Sequence, residues 1–141
     1  MEIRKDYLLN RWTFISEDRL KRPIDFHADR IKKKNQCFFC PGKEGFTPSE
    51  IGRKEKNGRW IIRWFPNKFP VVREMPLVTS AKNFLVQMTP SGYHEVVVET
   101  RAHKKQLWDL PAWHIKLLLD VYADRISELK KKENIKYEKE R

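Results

Sequence analysis

Two cysteines with the spacing of a metal-binding turn stand out in this chain. Cys37 and Cys40 are separated by two phenylalanines and followed by Pro-Gly. In a tight turn, this CxxC spacing allows both sulfurs to face one metal ion. A structural zinc takes four ligands and the chain has no other cysteine, so a further ligand would have to be a histidine from a distant segment or a group from outside the chain. The same spacing also fits two reduced thiols or a redox pair, and the cysteines alone leave these interpretations open.

The histidines are the candidates for such a distant ligand, and the chain has four of them: His27, His94, His103 and His114. His103 lies between a predicted strand and a predicted helix, a corner from which its side chain can reach another loop. His94 enters the strand itself, and His114 lies beside the apolar stripe of the helix, where we expect a structural role. A lone histidine on a basic surface often has no ligand, so position alone does not assign His103 to a metal.

Two other segments carry side chains suited to a phosphorylated ligand. Arg19 and Arg22 are three positions apart on a short loop, where two planar guanidinium groups can bind the oxygens of a diphosphate. Asn67 and Lys68 lie in a loop between two prolines that prevent strand pairing, and an asparagine amide can read the edge of a base or a ribose. Surface arginines without a ligand and an asparagine that caps a turn are the simpler alternatives.

Composition narrows the class of protein. The 141 residues predict one domain with a modest core, and the net charge of +11 attracts polyanions, although lysine runs such as 32–34 are also typical of a solvated face. No apolar run reaches the ~18 to 20 residues that cross a bilayer, and the N-terminus lacks the apolar segment of a signal peptide. We therefore expect a cytoplasmic protein with no membrane partner. In that reducing compartment, CxxC cysteines favour a metal over a disulfide.

Periodicity and turn signals predict short strands and one long helix. The Asn57-Gly58 pair is the strongest hairpin signal, because both residues tolerate the backbone of a tight turn. Proline in the first turn and an apolar stripe define the helix. The predicted elements are a strand beginning near Arg11, a strand over 59–65, strands over 84–88 and 93–100, and a helix beginning at 109–111.

The apolar residues also predict which faces are buried. By simple alternation, one face of the strand over 59–65 carries Trp60, Ile62 and Trp64, and the other face is mixed and includes Arg63. This pattern is typical of an antiparallel sheet with one buried side. The stripe predicted to pack the helix on the sheet consists of Ile115, Leu118, Leu119, Tyr122, Ile126 and Leu129.

Five motifs, taken in order, resemble the N-terminal half of the galactose-1-phosphate uridylyltransferases, a branch of the histidine-triad superfamily. None is specific alone, but together they cover the chain from residue 2 to about 130. The motifs are Arg19-Leu20-Lys21-Arg22-Pro23, Cys37-Phe38-Phe39-Cys40-Pro41-Gly42, Pro66-Asn67-Lys68-Phe69-Pro70, Gly92-Tyr93-His94-Glu95-Val96-Val97-Val98-Glu99-Thr100, and His103 before a long helix.

The resemblance implies a fold and a site. The expected fold is α+β, an antiparallel half-barrel sheet with a C-terminal amphipathic helix packed on it. Cys37, Cys40 and His103 match positions of zinc ligands in the family. The substrate-binding residues implied in the same way are Arg19, Arg22 and Asn67, with the neighbouring Lys68.

The family's reaction is nucleotidyl transfer through a uridylyl-histidine intermediate, carried by a His-Pro-His motif that this sequence lacks. The chain runs to Arg141 and is charged from about residue 130, where the family continues into a strand. We therefore expect residues 1–141 to be the zinc-binding, nucleotide-contacting half of a UDP-glucose:hexose-1-phosphate uridylyltransferase, without a catalytic residue of its own and inactive alone. Its expected partners are a UDP-sugar, a hexose 1-phosphate, and a second copy or a missing C-terminal half.

Two alternatives remain. A basic zinc module could bind RNA or DNA, with Phe38, Phe39, Trp60 and Trp64 stacking on bases. Such a module should lose affinity steeply with salt, whereas a UDP-sugar site with few charge contacts should respond less. The other alternative is an inactive remnant that serves only as a pairing module for another chain. In the transferase interpretation, the domain should expose apolar surface that the missing half would cover, and Trp60 and Trp64 are the candidates for that surface.

Overall fold

The computed structural model describes residues 1–9, 11–15, 37–132 and 135. They fall into two compact units, one from Met1–Lys33 and Phe69–His94 and the other from Lys34–Lys68 and Glu95–Arg141. We refer to these as unit 1 and unit 2. In the described part of the chain, no helix combines the length and apolar character that a membrane span requires.

Unit 1 contains a four-stranded antiparallel sheet. Its strands are β1 (Glu2–Lys5), β2 (Trp12–Ile15), β5 (Thr79–Lys82) and β6 (Leu85–Met88), in the order β2-β1-β6-β5. The strand predicted near Arg11 corresponds to β2, and the one predicted over 84–88 corresponds to β6. The sequence analysis did not predict β1 and β5, which are short and rich in charged or small residues.

A network around Asp6 closes the β1–β2 hairpin. Its carboxylate accepts the backbone N–H groups of Leu8 at 2.9 Å and Leu9 at 3.1 Å, and its other oxygen pairs with the side chain of Arg11. The Leu9 and Leu8 hydrogen bonds, followed by Arg11, lower the pKa of Asp6 below its ordinary value. This is an Asx-type turn, in which the side chain replaces backbone partners.

Unit 1 leaves many large apolar side chains exposed. We call this set the unit 1 apolar surface: Tyr7, Leu8, Leu9, Phe14, Leu77, Val78, Phe84 and Leu85. Tyr7 and Phe84 already contact each other edge to face, with ring centroids 5.4 Å apart.

Unit 2 contains a three-stranded antiparallel sheet of β3 (Gly52–Lys56), β4 (Arg59–Pro66) and β7 (Glu95–Val98), with β4 in the centre. Asn57 and Gly58 join β3 to β4 with positive φ angles of 52° and 68°, as the sequence predicted for a tight hairpin. The strand predicted over 93–100 is confirmed as the shorter β7.

The prediction that Trp60 lies on the same face of β4 as Ile62 is wrong. Lys54 pairs with Ile62 but Glu55 pairs with Trp60, so the register shifts and Ile61 is the extra residue of a β-bulge. The bulge breaks simple alternation and moves Trp60 off the face of Ile62. Trp60 instead packs with Phe65 and Val98, and it is 5% exposed, so it is not surface available to a partner.

Helix α1 (Ala112–Lys130) packs on the other face of this sheet. Ile62, Leu118 and Val121 are almost fully buried there, with Trp64 and Val97 packed against them. The predicted stripe is therefore correct for Leu118 but not for Leu119 and Ile126, which are exposed. The helix has two adjacent apolar stripes, and packing selects the one containing Val121.

Polar contacts also join α1 to β7 and the residue that follows it. Arg125 donates to both carboxylate oxygens of Glu95, at 2.9 and 2.7 Å. The hydroxyl of Tyr122 donates to the Glu99 carboxylate at 3.0 Å, and Nε2 of the buried His114 donates to the Glu99 carbonyl at 2.7 Å. The α+β class and the packing of a C-terminal helix on antiparallel strands are thus confirmed.

Candidate metal centre

The two cysteines form a tight turn in unit 2. The backbone N–H of Cys40 donates to the carbonyl of Cys37 at 3.3 Å, and that of Lys43 donates to the carbonyl of Cys40 at 3.1 Å. Gly42 has a φ of 80°, in the left-handed region that glycine adopts without strain. Both cysteines are half-buried and neither is in a disulfide. The Pro-Gly sequence therefore forms a second tight turn directly after Cys40.

His103 completes a cluster of three metal-binding side chains. It follows β7 by five residues, and its Nδ1 lies 3.4 Å from Sγ of Cys40. The ligand atoms of Cys37, Cys40 and His103 all lie within 4.8 Å of one another. Tetrahedral zinc, with bonds of about 2.3 Å to sulfur and about 2.0 Å to nitrogen, separates these two atom types by about 3.5 Å. The spacing and the soft donor set therefore fit three corners of a tetrahedral metal site.

The surroundings of Cys40 disfavour its thiolate form. Partial burial raises the pKa of Cys40 above its ordinary value, and Cys37 raises it further by hydrogen bonding and like charge. Two neighbouring thiolates in this place are favourable only with a cation between them, because a bound metal supplies the compensating charge.

The cluster borders a cleft of about 340 Å³ in unit 2. One side of the cleft is formed by the turn from Cys37 to Cys40, which we call the knuckle, including Phe39. The other side is formed by the chain from Val97 to His103 together with Lys105. The ring of Phe39 stacks on Phe65 of β4, with centroids 6.2 Å apart. The cleft therefore lies where a further ligand could approach the three metal-binding atoms.

A polar network that the sequence analysis did not identify lies behind the knuckle. Arg63 of β4 is completely buried, and its Nη1 donates to Thr47 Oγ1 at 3.0 Å and to Glu50 Oε1 at 3.3 Å. Trp60 Nε1 donates to Glu44 Oε1 at 2.6 Å. An arginine within the apolar run of β4 was the only sequence signal, since a charged residue there needs a buried partner.

Of the other predicted site residues, the structure describes Asn67 and Lys68, and neither belongs to this cluster. Asn67 and Lys68 follow the end of β4, where Pro66 pairs with the first residue of β7, whereas His103 follows the last residue of β7. Asn67 is half-buried and Lys68 is exposed. Arg19 and Arg22 lie outside the described residues, as does His27. Substrate binding by these arginines, Asn67 and Lys68 stays a prediction.

Fold and site together define an α+β protein with a Cys-Cys-His cluster that could hold a metal ion. The model of the family described as galactose-1-phosphate uridyl transferase, N-terminal domain, matches residues 1–138. The chain therefore belongs to this family, and the resemblance read from its motifs is confirmed.

Individual relatives agree with this assignment. The chain is 30% identical to the ADP-glucose phosphorylase of Arabidopsis thaliana, over 96% of this chain and 41% of that protein. It is 25% identical to the galactose-1-phosphate uridylyltransferase of Thermotoga maritima, over 97% of this chain and 39% of that protein. A solved structure of a uridylyltransferase mutant matches with a TM-score of 0.68 and 30% identity, covering 97% of this chain and 37% of that one. The chain thus spans about two fifths of the length of these relatives.

Proposed function

We propose that this chain is the zinc-binding, nucleotide-contacting half of a hexose-1-phosphate uridylyltransferase, working in galactose and UDP-sugar metabolism. The observation that carries the proposal is the convergence of Cys37, Cys40 and His103 within a chain of this family. These three residues would hold the metal. Zinc bound there would supply charge and a cross-link between the knuckle and the segment after β7.

The proposed substrates are a UDP-sugar and a hexose 1-phosphate. Arg19 and Arg22 would bind phosphate oxygens, Asn67 would contact the nucleoside, and Lys68 would add positive charge beside it. The net charge of +11 favours such anionic substrates.

A closely related second candidate is a half-enzyme acting on ADP-glucose. The observation in its favour is the 30% identity to the Arabidopsis ADP-glucose phosphorylase. Calorimetry with UDP-glucose and ADP-glucose in parallel separates the two candidates. A clear preference for ADP-glucose would move the proposal to this second function.

We propose that the 141-residue chain alone does not transfer a nucleotidyl group, because the reaction needs a free, activated histidine and the sequence lacks the family's His-Pro-His motif. The three histidines among the described residues have other roles. His103 is committed to the metal cluster in this proposal. Nδ1 of His94 accepts the backbone N–H of Val71 at 3.1 Å, and His114 is buried and bonded to the Glu99 carbonyl. Incubation with radiolabelled UDP-glucose should leave no acid-labile label on the protein. A labelled histidine would overturn this part of the proposal.

The nucleic-acid alternative has less support. Two of the four aromatic residues proposed for base stacking are unsuited to it, because Trp60 is buried and Trp64 is only partly accessible. Phe38 and Phe39 remain exposed. A single-stranded oligonucleotide that bound tightly at low salt, and lost that affinity by orders of magnitude at moderate salt, would favour the alternative over the transferase.

We further propose a cytoplasmic location and association with another chain, either a second copy or a chain that carries the rest of the relatives' length. A CxxC pair that serves as metal ligands, as proposed for Cys37 and Cys40, is more typical of cytosolic than of secreted proteins. The unit 1 apolar surface supports association, since it is rich in exposed large apolar side chains and includes the Tyr7–Phe84 contact, and contiguous exposed apolar patches commonly mark interfaces.

A further inference from the structure

We propose that Trp60 is a positioning residue that sets the metal affinity of the site. It fixes the loop after the knuckle through a hydrogen bond to Glu44, and it fixes the segment that leads to His103 through a contact with Arg101. The inference rests on the metal binding proposed above and goes beyond it, because Trp60 is not a ligand.

The first link is the hydrogen bond between Trp60 and the knuckle loop. Trp60 is 5% exposed, and its indole N–H donates to Glu44 Oε1 at 2.6 Å. Glu44 begins the 3-10 turn Glu44–Phe46, four residues after Cys40. The acceptor is charged, since its own backbone N–H and then the indole lower the pKa of Glu44. Charge-assisted hydrogen bonds of this kind are stronger than neutral ones and hold a loop in one position.

The second link is the buried arginine beneath the indole. The guanidinium carbon of Arg63 lies 5.2 Å from the Trp60 ring and 4.9 Å from the Phe65 ring. Its Nη1 donates to Thr47, and Thr47 Oγ1 in turn donates to the Glu44 carbonyl at 2.8 Å. Arg63 therefore ties the same loop to β4 by a second route.

Stability alone does not account for an arginine at this place. Its Nε and Nη2 atoms have no hydrogen-bond partner among the described residues. Replacing a buried ion pair, such as Arg63 with Glu50, by well-packed apolar side chains of similar volume is often neutral or stabilising. Arg63 is buried and only partly paired, yet it holds the loop after the knuckle against β4. Its presence is therefore better explained by the position of that loop than by a gain in stability.

The third link reaches the histidine. The guanidinium carbon of Arg101 lies 5.8 Å from the Trp60 ring, within the range of a cation–π contact. Arg101 precedes His103 by two residues, and the intervening Ala102 is fixed by a hydrogen bond from its N–H to Thr100 Oγ1 at 3.2 Å. One indole thus contacts both chain segments that bring ligands to the metal.

Metal affinity should depend on these contacts because a metal binds only when its ligands are in place. If the competent arrangement is populated for a fraction of the time, the apparent affinity falls by that fraction. Loss of residues that orient metal ligands typically weakens binding by about 10- to 100-fold. For Trp60→Phe, which removes the N–H and replaces the indole by a smaller phenyl ring, we expect about a 10-fold loss.

The chain offers a matched pair of variants for the test. Trp60→Phe removes the indole N–H that holds Glu44. Trp64→Phe makes the same change three residues from the bulge, on the helix-packed face, where the buried Nε1 has no partner among the described residues. Zinc dissociation constants would be measured by competition with a chromophoric chelator, and circular dichroism would check folding. Glu44→Gln weakens the same hydrogen bond from the other side and decides the question if Trp60→Phe does not fold.

We expect zinc binding about 10-fold weaker in Trp60→Phe and weaker in Glu44→Gln, with Trp64→Phe within about 2-fold of the wild type. The absorption spectrum of the cobalt-loaded protein should keep the same bands in all of them, because the ligands are unchanged. If Trp60→Phe folds, equal zinc affinity in Trp60→Phe and Trp64→Phe would overturn the inference. If it does not fold, equal zinc affinity in Glu44→Gln and the wild type would overturn it. Either result would leave the metal site itself in place. A wild-type protein that binds no zinc would instead refute the proposed metal site.

Discussion

The ion pair between Arg125 and Glu95 provides a quantitative test of how α1 is held on the sheet. Both side chains are largely buried, 13% and 12% exposed, and the contact is bidentate. Arg125→Ala would leave the Glu95 carboxylate desolvated without this partner. Breaking a fully buried pair in this way costs about 3–5 kcal/mol, and the remaining exposure reduces the expected loss here to about 2–3 kcal/mol.

A matched control lies on the same helix. Lys116 and Asp120 form an ion pair at 2.8 Å, but their side chains are 77% and 52% exposed. Lys116→Ala should therefore cost no more than about 0.5 kcal/mol, as exposed i,i+4 pairs do. Each variant removes one cation from the same helix. Arg125 also pairs with Glu128, but that carboxylate is 61% exposed, so the difference between the variants mainly reports burial.

Urea unfolding followed by the helical circular dichroism signal at pH 7 measures both variants. With a dependence of about 1–3 kcal/mol per molar urea, Arg125→Ala should lower the midpoint by about 1 M or more, while Lys116→Ala should barely move it. Equal midpoint shifts in the two variants would refute the argument that burial, rather than the presence of an ion pair, decides the contribution.

Three further predictions concern packing, pH and association. Gly52→Ala should destabilise unit 2 by about 1–3 kcal/mol, because the new Cβ would lie 2.4 Å from the Trp64 ring. In the control Gly45→Ala, the new Cβ meets nothing within 4 Å, so thermal unfolding should show a lower midpoint for Gly52→Ala than for Gly45→Ala. Burial, and then the hydrogen bond to Glu99, raise the pKa of Tyr122 from 10.0 to about 12. The contribution of the protonated hydroxyl to stability is therefore complete below pH 10 and is lost as the pH rises towards 12. The difference in unfolding free energy between the wild type and Tyr122→Phe should shrink across that pH range. Light scattering over a concentration series should show self-association through the unit 1 apolar surface, and a monomer at all concentrations would count against it.

Much of the fold was predictable because its signals are local. Asn57-Gly58 has the backbone preferences of its turn, the proline before α1 marks the helix start, and CxxC followed by Pro-Gly specifies the knuckle. The motif order sufficed to recognise the family. For the metal cluster, the pairing of distant His103 with the cysteines came only from this resemblance, since spacing carries no information across 63 residues.

The errors arose where tertiary packing decides. Alternation along β4 assumed a period of two, which the bulge at Ile61 interrupts, so Trp60 was placed on the wrong face. The helix offers two adjacent apolar stripes, and only packing against Ile62 selects the one with Leu118 and Val121. The burial of Arg63 was equally hidden, because its partners come from a loop 13 to 16 residues earlier in the chain.

Zinc content is the most direct test of the central claim, that Cys37, Cys40 and His103 form a metal site in this half of a nucleotidyltransferase. The wild-type chain and Cys37→Ser should be purified in parallel without chelator and analysed by mass spectrometry of the metal. We expect close to one zinc per chain in the wild type and a large loss in the variant, which lacks one of three ligands. Equal zinc content in the two proteins, or none in either, would contradict the claim.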